Sequence, residues 1–132
     1  MKRRLGPAIV STAALLGAAP AFADVYLIAN SALTLTGDEV RDVFLGEKQL
    51  AGSVKLAPFD NGAVQGEFLA KVLHMDAAKY STLWTKKGFR EGLNAPMVKG
   101  SDIEVVSSVK ANPGGLGYVS APAPGVTVIR KY

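Results

Sequence analysis

The chain has 132 residues, with fifteen Lys and Arg against eleven Asp and Glu, a single histidine and no cysteine. Without cysteine it has no disulfide framework, no thiolate metal centre and no cysteine nucleophile. A formal charge of +4 is too small to mark a nucleic-acid binder by itself.

Lys2, Arg3 and Arg4 precede an apolar stretch from Leu5 to Leu16, and small residues end in Ala21-Phe22-Ala23. This is the layout of a secretory signal peptide over residues 1–23, cleaved before Asp24. The apolar part is too short and too broken by Gly6, Pro7 and Gly17 to span a membrane. Three basic residues leave with it, so twelve face eleven acidic ones and the net charge falls to +1. Residues 24–132 are expected to form one periplasmic domain, not inserted in the membrane after cleavage and stabilised by packing alone.

Asp24 to Asn30 is apolar on both faces from Val25 to Ala29, as a strand covered on both sides requires. Thr36 to Glu39 has capping-box spacing and opens a helix with Val40, Val43 and Phe44 on one face and Gly46 at its stop. Val54 to Phe59 is the second predicted strand. Asp60-Asn61-Gly62 then turns the chain into a helix with the stripe Val64, Phe68, Leu69, Val72 and Leu73. Asp76 caps a third helix carrying Tyr80, Leu83 and Trp84 amid Lys79, Lys86, Lys87, Arg90 and, beyond it, Lys99. Ser101 to Glu104 repeats the capping-box spacing and starts a fourth helix with Ile103, Val106 and Val109 inward, stopped by Asn112-Pro113-Gly114. Leu116 to Val119 follows as a buried strand and Val126 to Ile129 as a final short one. Strands alternating with about four helices predict an α/β domain with a mixed sheet.

Catalytic constellations are absent: there is no G-x-S-x-G elbow and no P-loop, and His74 reads as a residue at a helix C-terminus, favoured there by the dipole. Neither an enzyme, a cofactor nor a metal site is expected. Asp38 and Asp42 lie one turn apart on an exposed helix face. Tyr80, Trp84 and Phe89 have the spacing of core residues rather than of a base-stacking platform, which speaks against nucleic acid. The predicted site is Asp60-Asn61-Gly62-Ala63-Val64-Gln65, a strand end passing into a helix N-terminus. Backbone N–H groups and the dipole there favour anions, and open α/β sheets collect ligands at the carboxyl ends of strands.

Taken in order, "LTGDEVRDVFLGEKQLAGSVKLAPFDNG", "EFLAKVL", "LWTKKGF" and "VKGSDIEVVSSVKANPGGLGYVS" resemble the phosphate-type periplasmic substrate-binding proteins of ABC transporters, in particular short single-domain members. The resemblance runs from about residue 25 to 121 and implies a single-lobe, periplasmic-binding-protein-like fold. It further implies weak binding of phosphate or a related oxyanion, as part of or alongside an ABC uptake system with its permease. Asp60 to Gln65 would hold the anion, with Ser31 and Ser101 as added donors. Where relatives carry a Ser-Gly-Thr-like segment this chain has Gly62-Ala63-Val64, so only backbone donors remain. The glycine-rich turn at Pro113 to Gly117 is implied to be structural, and Gly114 and Gly117 are expected to be needed for their backbone conformation. The alternative reading is an envelope interaction or sensor accessory module that binds a protein partner and no solute.

Overall fold

The computed structural model describes residues 23–132, so the predicted leader, apart from Ala23, lies outside the described residues. Five strands make the main sheet in the order β5-β4-β6-β1-β7, with β1 Tyr26–Ala29, β4 Ala57–Asn61, β5 Met97–Lys99, β6 Gly115–Val119 and β7 Thr127–Lys131. β4 runs parallel to β5 and β6, whereas β1 runs antiparallel to β6 and β7. Beside the sheet, β2 Leu50–Ala51 and β3 Val54–Lys55 form a small hairpin.

Four helices cover the sheet. Helix α1, Gly37–Phe44, has both arms of its predicted capping box: Thr36 Oγ1 accepts from Glu39 N–H, and Glu39 Oε1 accepts from Thr36 N–H. Helix α2 starts as Gln65–Phe68 and widens into a π turn at Leu69–Leu73, which His74 closes with φ 54°. Helix α3, Ala77–Glu91, is capped by Asp76 accepting from Lys79 N–H. Helix α4, Asp102–Ala111, is capped by Ser101.

The sheet divides the core in two. Val25, Leu27, Ala29, Leu116 and Tyr118 face α1, α2 and α3, while Ile28 and Val119 face α4 through Val105 and Val109. That is the period-2 alternation of a strand buried on both faces. On the larger side Phe68 stacks on Tyr118 at 3.9 Å between ring centroids, and Phe44 meets Phe68 edge-on at 4.7 Å. The cluster pins α1 and α2 to β6 and adds about 0.5–1.5 kcal/mol per pair beyond the buried area. Trp84 Nε1 donates to Phe44 O at 3.2 Å, so α3 caps the end of α1.

Three expectations are corrected. Val54 to Phe59 is not one strand: Val54 and Lys55 fold back on Leu50 and Ala51 around Gly52, and the chain enters the main sheet only at Ala57. Ile103 points outward at 81 % exposure, and α4 buries Val105 and Val109 instead, an i,i+4 pair that sits over Gly117. Gly114 has no positive φ. What it needs is space, because a Cβ there would lie 1.9 Å from Lys55 O, and Gly115 and Gly117 would meet Val109 O and Val105 Cγ1 at 2.6 Å. The glycine-rich turn lets three segments of backbone and helix approach closely.

Candidate functional site

The carboxyl ends of β4, β5 and β6 lie at one end of the sheet, because these strands are parallel. Asp60 and Asn61, the last two residues of β4, are both buried and point to opposite faces by strand alternation.

Asp60 faces the larger core. Its Oδ2 accepts from Tyr80 Oη and its Oδ1 from Tyr118 Oη, each at 2.8 Å. No lysine, arginine or histidine forms an ion pair with it among the described residues. Loss of hydration pushes the Asp60 carboxyl up to about 6, and the two phenol hydrogen bonds oppose that rise. Burial, then the adjacent Asp60 charge, drives both phenols upward. They therefore remain donors across the ordinary pH range.

Asn61 faces α4. Its Nδ2 donates to Asp102 Oδ1 at 2.8 Å and to Tyr118 O at 3.0 Å, while its Oδ1 accepts from Ala63 N–H at 2.9 Å. The Asp102 carboxylate also takes Ser120 N–H at 3.0 Å and Ser120 Oγ at 2.7 Å. The donors converging at this corner of the sheet are held by a carboxylate of the chain itself.

The predicted residues divide accordingly. The N–H of Gly62 donates to Lys99 O at 2.7 Å, that of Ala63 to Asn61 Oδ1, and that of Val64 to Asn61 O at 3.2 Å. Three of the four expected amide donors are thus engaged within the fold. Gln65 N–H, in the first turn of α2, has no acceptor among the described residues. Ser101 lies near this end, two residues beyond Lys99, and its Oγ accepts from Glu104 N–H. Ser31 is not brought to the group. It follows β1, whose antiparallel direction carries it to the opposite end of the sheet, where Asn30 N–H bonds Gly115 O.

A cleft of about 520 Å³ opens beside Asp60, between α3 and the approach to β5, with Gln65, Ser81, Trp84, Thr85 and Val98 on its walls. Its lining includes no lysine, arginine or histidine. The sequence reading missed Asp102, Ser120 and the two tyrosines of the Asp60 network. A buried tyrosine hydroxyl requires a partner, and that is the one signal the sequence carried. Which carboxylate it meets depends on pairings 20 and 58 residues apart. Among the described residues there is no group of three His, Asp or Glu able to hold a metal, and no helix is long and apolar enough to cross a membrane.

No family model and no curated protein matches the chain. Among solved structures, the crystal structure of an ABC-type phosphate transport receptor from Vibrio cholerae is similar, with a TM-score of 0.52 and 13 % sequence identity. The match covers 83 % of this chain and 47 % of that one, so the chain spans about half the length of that receptor. At this identity the likeness is one of fold: a mixed α/β, single-lobe, periplasmic-binding-protein-like domain.

Proposed function

We propose that the chain is a binding-protein-like module of the periplasm that recognises another envelope protein, rather than an enzyme or a high-affinity solute trap. One observation carries the reading: the Asp102 carboxylate already occupies the donors of Asn61 and Ser120 at the strand ends. An incoming oxyanion would have to displace a bound carboxylate that stays on the chain, and the neighbouring cleft supplies no cation to offset its desolvation. The periplasmic location rests on the leader pattern at residues 1–23 and on the fold of the similar receptor.

A second reading, weak oxyanion binding alongside an ABC uptake system, is favoured by the unengaged Gln65 N–H at the start of α2 and by the phosphate receptor among structures of similar fold. Titration of the purified protein with phosphate and sulfate, followed by NMR at the amides of Gly62 to Gln65, separates the two. The docking reading expects no saturating shift up to tens of millimolar anion. Saturation at about 1 mM, some 4 kcal/mol of binding, would install the oxyanion reading instead.

A further inference from the structure

We infer that the cleft beside Asp60 seats a basic side chain, a lysine or an arginine, of the partner protein. The inference rests on the docking reading and names the place of contact and the residue type that it would accept.

Tyrosines aside, Asp60 is the one buried acid or base among the described residues. A buried carboxylate is ordinarily paired with a cation, yet none of the ion pairs among those residues includes Asp60. Its two oxygens offer about four acceptor sites, of which Tyr80 Oη and Tyr118 Oη take one each. Asp60 itself lines the cleft, so the unmatched charge adjoins the space that a ligand would enter.

Exposure grades the cleft from floor to mouth. Asp60 at 1 %, Tyr80 at 6 % and Trp84 at 8 % lie deepest. Ser81 and Thr85 are exposed and Val98 is 57 % exposed, so these stand at the mouth. A long basic side chain matches that order, because its methylene stem covers apolar surface such as Val98 while its head carries the charge inward. There an ammonium or guanidinium can donate to the remaining lone pairs of Asp60 or to the phenol oxygen of Tyr80, with Trp84 as an aromatic wall.

The cations of the fold are turned elsewhere. By helical spacing Lys79, Lys86 and Arg90 lie on the face of α3 opposite Ser81 and Trp84. Lys99 Nζ lies 5.8 Å from the centre of the Phe59 ring, on the other face of the sheet. Gln65 and Ala77 bring the positive ends of α2 and α3 to the cleft, each about half a charge. Asp76, the cap of α3, offsets one of them with a full negative charge. The titratable groups that face Asp60 are Tyr80 from α3 and Tyr118 from β6, both kept neutral by burial. The cleft is therefore net negative whenever Asp60 is ionised, which attracts a basic side chain and repels an acidic one.

The test adds blocked glycine peptides with a central lysine, glutamate or norleucine to the purified protein. The lysine peptide is expected to shift the Trp84 indole and the amides of Ser81 and Thr85 at about 10 mM, the norleucine peptide to bind about tenfold more weakly, and the glutamate peptide to leave them unmoved. Between about pH 7 and pH 5 the lysine peptide should lose about tenfold in affinity, as Asp60 takes up its proton near 6. Asp60→Asn should weaken it about tenfold, and so should Thr85→Lys, a change at an exposed side chain that leaves the buried network intact. Equal binding of the norleucine or glutamate peptide, a flat pH profile, shifts confined to other surfaces, or no shift would overturn the proposal. Free n-butylammonium saturating at about micromolar concentration would also overturn it, and would replace the docking reading with capture of a small amine. If neither the peptides nor phosphate move their respective amides, the cleft is wrong and the docking reading stands. Phosphate saturation at Gly62 to Gln65 removes the docking reading whatever the peptides do.

Discussion

Asp60 is a carboxylate that the fold buries without a cation, and its titration is the clearest prediction at the scale of single residues. Its folded value of about 6 lies above its ordinary 3.8. Between those values the folded chain therefore binds the proton more tightly than the unfolded chain. This contribution to stability is fully present below about pH 4, declines as pH rises toward 6, and is absent above it. Carbon-13 NMR of the Asp60 carboxyl should show a midpoint near 6, and Asp60→Asn should flatten this part of the stability profile in urea titrations between pH 4 and 7. A midpoint below 4 would mean that the two tyrosine bonds outweigh burial. Two glycines supply a contrasting pair. Gly114→Ala would drive a Cβ into Lys55 O and is expected to cost about 1–3 kcal/mol, read as a lower Tm. Gly66→Ala, in the first turn of α2 with nothing within 4 Å of its Cβ, should stabilise by about 0.5–1 kcal/mol.

Among the elements, α4 is attached twice to the sheet. Val105 and Val109 fill the space that Gly117 leaves open, and Asp102 ties the helix start to the ends of β4 and β6. Asp102→Ala would leave Ser120 N–H and Oγ without their acceptor at an expected cost of about 1–3 kcal/mol. Hydrogen exchange should quicken first at Ser120 and in the opening turn of α4; uniform loss across the sheet would contradict a local tie. Much of this element was legible in advance. Ser101 to Glu104 announced its start and Asn112-Pro113 its stop, because caps are local chemistry. Its buried face was misread at Ile103, since which of two overlapping apolar stripes turns inward is decided by Gly117 on a strand reached only after the helix ends. Likewise β5, three residues between Pro96 and Gly100, is too short to register as a periodic signal and exists because β4 offers it a parallel partner. The end of β4 was correctly read as the place where strand passes to helix. That Asn61 and Asp102 had already claimed the donors there is long-range information, which no local pattern carries.

As a whole molecule the described chain folds as one lobe and spans about half the length of the receptor it resembles in fold. If the leader is removed as proposed, N-terminal sequencing of periplasmic material should begin at Asp24; recovery of Met1 or Lys2 would withdraw the location. Val25 then pairs with Tyr132 through both backbone groups, at 3.1 and 2.8 Å.

That pairing belongs to a wider pattern. β1 is the first strand in the chain, yet both of its neighbours, β6 and β7, are the last two. Tyr26 meets Val119 across about ninety intervening positions, so the loop entropy must be met before β1 has any partner. A chain emerging from the ribosome consequently carries β1 unmatched until β6 appears. Folding becomes one late, slow event instead of a nucleus that grows during synthesis, and up to that moment the chain keeps a threadable form, which suits the export that the proposed leader would direct.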